Sequence, residues 1–254
     1  MSISFEQFNT FVKEVTQETS KIIIEAFKSQ KEYWLKEDNS VVTQTDLIIE
    51  EYLRGRILEK FPSHGILGEE FENQNDTSDK CWVLDPIDGT NSFIHGVPLF
   101  GTLIGFLEKG FPKYGSIQFP CLNNELLIGE SSKCYLNNNL LKRKNFSSWE
   151  KSLILTTDER RISKSRFYHN WLSLKELNGM CRTWGDCYGY YLLCTGRADV
   201  MFDIDLKPYD ILPILPILSG CGMKVLDLSE ESDYTTIVVC KPEISSTINE
   251  IFRQ

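Results

Sequence analysis

The sequence predicts an α+β fold of layered helices and sheets, and three observations carry that expectation. The chain opens on a long amphipathic helix rather than a strand. Between residues 100 and 141, strand-like runs follow one another across short turns with no helix between them, the pattern of an antiparallel meander. From residue 152 onward strands and helices mix without strict alternation, which disfavours a doubly wound parallel sheet. At 254 residues, 41% of them hydrophobic and 25% charged, the chain can bury a sizeable core as one large domain or two small ones.

Phe5, Phe8, Val12, Val15, Ile22, Ile23, Ala26 and Phe27 recur at spacings of three and four, so the first helix has one buried face. A strand edge at residues 33–35 comes next. Thr43, Thr45 and Asp46 are good helix-start residues for a second helix that Pro62 stops. Residues 65–68 form a strand running into Glu69 and Glu70. Alternation along a strand would let only one of that pair face the carboxylates that follow. Residues 71–80 are polar and read as an exposed loop. Residues 81–84 read as a short buried strand. The meander follows, with strands at 100–107, 114–119, 125–129 and 133–141. The polar stretch 142–150 is the best boundary, giving an N-terminal unit 1–146 and a C-terminal unit 147–254 within one compact molecule. Beyond it come a strand from 152, a helix over 163–177, a strand at 180–184, a helix over 185–196 ending at Gly196, and a strand at 198–202. A helix over 211–218 carries Pro213 in its first turn, and Pro216 should kink or end it. Strands at 224–228 and 235–240 and a last helix over 242–252 complete the chain.

The net charge of −9 argues against a nucleic-acid backbone as partner. No apolar run is long enough to span a membrane, and the first ten residues lack a basic segment followed by an apolar core. We therefore expect a cytoplasmic protein. Its eight cysteines are scattered and contain no C-x-x-C, as buried reduced thiols would be. The three histidines show no helical pairing suited to zinc.

One stretch organises the rest: Trp82-Val83-Leu84-Asp85-Pro86-Ile87-Asp88-Gly89-Thr90-Asn91-Ser92-Phe93. An apolar run ends in two carboxylates, and Gly89 permits a tight or left-handed turn. Such a turn can set the Asp85 and Asp88 side chains on one rim with the Ile87 carbonyl between them, an all-oxygen site suited to a hard divalent cation. The same residues also describe a strand, a turn and a capped helix with two solvated carboxylates. An EF-hand is excluded, since eleven residues after Asp85 comes Gly96 and not Glu.

Asp46, Glu69, Asp85, Asp88 and Asp210 all sit at element ends, where each alone reads as a cap or a solvated end. Taken together, Val42-Thr43-x-Thr45-Asp46, Gly68-Glu69-Glu70, Asp85-Pro86-Ile87-Asp88-Gly89-Thr90-x-x-Phe93 and Pro208-Tyr209-Asp210 closely resemble the inositol monophosphatase-like phosphatases in order and spacing. The resemblance runs from the first helix to the last strand. It implies an α-β-α-β-α layered sandwich, generally dimeric, with Li⁺ sensitivity in many members. It implies that Glu69, Asp85, the Ile87 carbonyl, Asp88 and Asp210 hold Mg²⁺, two or three ions per active site. It implies that Thr90 and Asp46 position and deprotonate the attacking water, with Glu70 in support. Gly89 and Thr90 would cradle the phosphate through their amides.

The substrate-selecting half carries Trp184-Gly185-Asp186-Cys187-Tyr188-Gly189, which resembles the histidinol-phosphatase branch rather than the small uncharged string usual in inositol phosphatases. Histidinol phosphate carries a protonated amine and an imidazole, and Asp186 is a candidate partner for the ammonium. Asp203 sits where the family places an acidic substrate contact, beside Asp88 and Asp210. Asp186 also reads as a helix N-cap, Asp203 as a surface charge at a strand end, and Tyr188 and Tyr190 as core residues. Ser219-Gly220-Cys221-Gly222 departs from the family's usual Glu-Ala-Gly-Gly, away from every expected ligand. The expected activity is thus Mg²⁺-dependent hydrolysis of histidinol phosphate in histidine biosynthesis, by a homodimer acting on a small phosphorylated metabolite. The alternatives are an inositol-1-phosphate phosphatase, a broad sugar-phosphate or nucleotide 3′-phosphatase, and a non-catalytic metabolite- or Ca²⁺-binding module.

Overall fold

The first helix, α1 (Phe5–Lys28), starts where Ser4 accepts the Gln7 amide and the Gln7 side chain accepts the Ser4 amide, a reciprocal cap. The computed structural model from which this is read describes residues 2–29, 32–75 and 77–252. A hairpin of β1 (Tyr33–Leu35) and β2 (Val41–Thr43) leads into α2 (Gln44–Lys60), capped in the same reciprocal way by Thr43 and Asp46. Next come β3 (Gly65–Gly68), β4 (Lys80–Asp88) and the short α3 (Thr90–Ile94). The meander is β5 (Gly101–Glu108), β6 (Phe111–Phe119), β7 (Glu125–Glu130), β8 (Lys133–Leu136) and β9 (Asn139–Leu140). Asparagines at 123, 124, 137 and 138 take left-handed conformations at two of its turns. Strands β3 to β9 form one seven-stranded sheet in chain order, parallel only between β3 and β4.

The second half contains β10 (Leu153–Leu155), α4 (Glu159–Ser163), α5 (Tyr168–Lys175), β11 (Met180–Arg182), α6 (Asp186–Cys194), β12 (Val200–Ile204), α7 (Pro208–Ile211), α8 (Leu215–Gly220), β13 (Lys224–Asp227), β14 (Thr236–Cys240) and α9 (Ser245–Phe252). Its five-stranded sheet has the order β11-β10-β12-β14-β13.

Three cores define the layering. Phe8, Phe11 and Val15 of α1 and Ile49 and Leu53 of α2 meet Trp82 and Phe106 on one face of the large sheet. Leu103, Ile117 and Phe119 on its other face meet α6 and α8, which pack in turn against Met201 and Val239 of the small sheet. Ile154, Phe202 and Val238 on the outer face of that sheet bury Trp171 of α5 and Ile248 of α9. The result is the expected α-β-α-β-α sandwich, and each fully buried Phe or Ile contributes about 1.5–3 kcal/mol to it.

Three local expectations are corrected. The strand at 81–84 extends to Asp88, through Pro86, because a bulge between Asp85 and Asp88 absorbs the missing N–H. The helix expected over 163–177 is broken at its start, since α4 ends at Ser163 and α5 begins only at Tyr168. Between them the Ser165 hydroxyl accepts the Phe167 amide and donates to the Ile162 carbonyl, which competes with helical pairing. The helix over 211–218 is also split, because Pro213 falls in the turn between α7 and α8 and Pro216 then begins α8 rather than kinking it. That turn lies directly on the sheet. A Cβ at Gly115 would stand 1.7 Å from the Pro213 carbonyl oxygen, and one at Gly105 would stand 3.0 Å from the Pro213 Cα. Beyond β3, which ends at Gly68, Glu69 lies on the Asp85 side, and Glu69 and Glu70 both pair with Lys36.

Candidate active site

Parallel pairing of β3 with β4 brings two carboxyl-terminal strand ends to one edge. Gly68 lies opposite Leu84, so Glu69 and Asp85 follow side by side. Beyond the bulge, Asp88 ends β4, and Gly89 turns the chain with φ +90° before α3 begins. Asp88 Oδ2 accepts the amide of Cys187 at the start of α6. Asp210, in the first turn of α7, accepts the Lys207 amide at 2.8 Å. Asp85, Asp88 and Asp210 each offer a carboxylate oxygen, all within 4.8 Å of one another.

The second part of the cluster lies toward the β1–β2 hairpin. Lys36 Nζ stands 2.9 Å from Glu69 and 2.8 Å from Glu70. Behind them the fully buried Glu50 of α2 accepts the Glu70 amide at 2.8 Å, the Phe71 amide at 3.3 Å and Arg54 Nε at 2.8 Å. Gly68 is required there, since a Cβ would stand 2.0 Å from Glu50 Oε1. Asp46 is fully buried and held by the amide and hydroxyl of Thr43, with the Thr90 hydroxyl 3.5 Å from its other oxygen. That hydroxyl lies closer, at 2.9 Å, to the Ile87 carbonyl, so Thr90 stands between Asp46 and the expected ligand oxygen.

Burial and crowding raise these acids. Asp85 is pushed well above its ordinary range by burial, then by Glu69 and Asp88, and Asp88 by burial, then by Asp186 and Asp210. Burial lifts Asp46 to about 6, Asp210 to about 7 and Glu70 to about 8, and Glu69 raises all three further. Burial opposes the charge on Lys36, but the two glutamates outweigh it and hold its pKa above the usual lysine range. The donor set fits a hard cation. It is all oxygen and carboxylate-rich, and two of its buried oxygens, Asp85 Oδ1 and Glu70 Oε1, have no hydrogen-bond partner among the described residues.

A cleft of about 60 Å³ opens from Asp88 and Asp210 toward Asp186, Asp203, Asp158 and Arg161. Asp186 is the first residue of α6, with φ +47°, and Gly185 is the N-cap, so the capping alternative does not hold. Its carboxylate faces Gly89, with Oδ2 3.2 Å from where a Cβ on that glycine would stand. Burial in the cleft lifts Asp186 to about 6. Asp203 is buried rather than a surface charge. It accepts the Thr157 amide at 2.9 Å and the Tyr190 hydroxyl at 3.1 Å, and burial and Asp186 raise it to about 7. Tyr190 is a core residue, as expected, but its hydroxyl reaches this acid.

Every expected site residue therefore lies in the carboxylate cluster or along the adjoining cleft. Sequence reasoning missed Lys36, Glu50, Thr157, Asp158 and Arg161. Glu50 and Arg54 do show the helical spacing of an ion pair, the one readable signal among them.

A histidinol-phosphatase of Chlorobaculum parvum is 32% identical over 210 residues, 82% of this chain and 81% of that one. Inositol monophosphatase 1 of Bos taurus is 28% identical over 225 residues, 84% of this chain and 80% of that one. The solved structure of an inositol monophosphatase from Zymomonas mobilis superposes with a TM-score of 0.84 at 26% identity, over 100% of both chains. Residues 5–253 match the model of the inositol monophosphatase family, and the chain belongs to that family of phosphatases.

Proposed function

We propose that this protein is a Mg²⁺-dependent histidinol-phosphate phosphatase, releasing histidinol and inorganic phosphate in histidine biosynthesis. The observation that carries the reading is the continuity of the Asp85–Asp88–Asp210 cluster with a cleft that offers two further acids, Asp186 and Asp203. The identity to a histidinol-phosphatase supports the same choice.

In this reading Glu69, Asp85, the Ile87 carbonyl, Asp88 and Asp210 hold two or three Mg²⁺. Bound Mg²⁺ supplies charge neutralisation, a lowered water pKa and a stabilised leaving oxygen. The chain supplies the rest. The Thr90 hydroxyl orients the attacking water and passes a proton to Asp46, whose raised pKa suits a general base. Glu70 supports Glu69, and the amides of Gly89 and Thr90 receive phosphate oxygens. Asp186 and Asp203 take the protonated amine and the imidazole. A neutral polyol would gain no charge pairing there and would leave desolvated carboxylates unmatched. The reading extends to a homodimer in the cytoplasm, and sedimentation of the purified protein tests the dimer.

Phosphate release from histidinol phosphate, inositol 1-phosphate, fructose 1,6-bisphosphate and adenosine 3′,5′-bisphosphate, each with Mg²⁺ or EDTA, tests the substrate. Faster turnover of inositol 1-phosphate than of histidinol phosphate would overturn the assignment. Asp88→Asn should abolish turnover of whichever ester is preferred, and normal turnover by that variant would refute the catalytic assignment.

A further inference from the structure

Two acids line the cleft from different elements, Asp186 from α6 and Asp203 from β12. Thr157, two residues beyond β10, contacts both. Its amide donates to Asp203 Oδ1 at 2.9 Å, and its hydroxyl oxygen accepts the Asp186 amide at 2.9 Å. Gly185 is packed directly on it, since a Cβ there would stand 2.2 Å from the Thr157 Cα. The backbone before Asp186 therefore rests on Thr157 and cannot slide.

The conformation of Asp186 shows that this contact is used. Its φ of +47° is one that residues other than glycine seldom adopt unless the surroundings hold it. Two backbone hydrogen bonds hold that turn, the Asp186 amide donating to the Thr157 hydroxyl and the next amide, of Cys187, donating to Asp88. Together they aim the Asp186 carboxylate at Gly89, into the mouth of the cleft. With the hydroxyl of Thr157 removed, the Asp186 amide loses its acceptor and the turn is free to relax toward an ordinary helical start. The carboxylate then swings away from the cleft.

We propose that Thr157 is the positioning residue of the substrate-selecting pocket, fixing Asp186 and Asp203 as a two-acid cradle for the cationic arm of the substrate. The proposal rests on the reading that these two acids bind that arm. Thr157→Val keeps the side-chain shape and the amide bond to Asp203 but deletes the acceptor. KM for histidinol phosphate relative to KM for p-nitrophenyl phosphate, which has no cationic arm, should rise about tenfold. The change should fall on KM rather than kcat, and Thr157→Ser should restore the ratio, which a loss of packing alone would not do. An unchanged ratio in Thr157→Val, while Asp186→Ala raises it, would overturn the proposal and leave the substrate reading intact. A ratio insensitive to Asp186→Ala would remove the substrate reading and the proposal together. Turnover of p-nitrophenyl phosphate by the Val and Ser variants reports whether each is folded.

Discussion

Glu50 offers the sharpest test of how the site is held. Its carboxylate is fully buried and accepts the Glu70 amide, the Phe71 amide and the Arg54 guanidinium. These bonds fix the segment that presents Glu69 and Glu70. Glu50→Gln preserves the shape but puts an amide NH₂ against one set of those donors, whichever way it turns. Hydrogen bonds to a charged group contribute about 1.5–3 kcal/mol each, so losing one or two should cost about 3 kcal/mol. For a chain of this size each kcal/mol lowers Tm by roughly 2–4 °C, so the variant should melt roughly 6–12 °C lower. Its affinity for Mg²⁺, titrated calorimetrically on the folded protein, should fall about tenfold, as for loss of a group that orients a metal ligand. A variant that melts within about 2 °C of the parent and titrates identically with Mg²⁺ would refute the reasoning.

Three further outcomes follow from the same geometry. In EDTA, Asp46 (about 6), Asp210 and Asp203 (about 7) and Glu70 (about 8) bind protons more tightly in the folded than in the unfolded chain. Their contribution is complete below about pH 4 and is lost as pH rises through 6 to 8, so Tm in EDTA should fall across that window and excess Mg²⁺ should flatten the fall. A Tm without slope in EDTA would count against the clustered acids. The kcat/KM profile should rise with pH through a limb at or below 6, since a neighbouring cation favours ionised Asp46. Asp46→Asn should lose that limb and about 10²–10⁴-fold in rate, measured by phosphate release. Lys241 pairs with Asp199 at 2.7 Å, both largely buried, and Lys241→Met should destabilise by about 3 kcal/mol in urea, the low end for a broken buried pair, because the Leu153 amide still reaches Asp199.

Much of this was legible in the sequence because it is local. Asp85 to Thr90 announces a strand, a turn and a helix start within six residues, and α1 and the meander announce themselves by period. The rest depends on contacts between distant positions. Lys36 meets Glu69 across 33 residues of chain, and Cys187 meets Asp88 across 99. No spacing in a single sequence encodes either. Helical period failed at Ser165 because one hydroxyl bonded the backbone on both sides. Thr157 was invisible for a simpler reason. A threonine after a short strand is ordinary until the fold brings two acids to it.

The seat of Pro213 on the large sheet has a consequence for Asp210. Gly105 and Gly115 face each other in register, and the turn that follows α7 rests on them main chain to main chain. The spacing between the layers is therefore gauged there by peptide atoms, not by side chains that could repack. Asp210 lies three residues before that contact, on the element whose height it sets. A single methyl group added at Gly115 would lift Asp210 away from Asp85. Its effect would be felt as a lost grip on a cation by residues the methyl never touches.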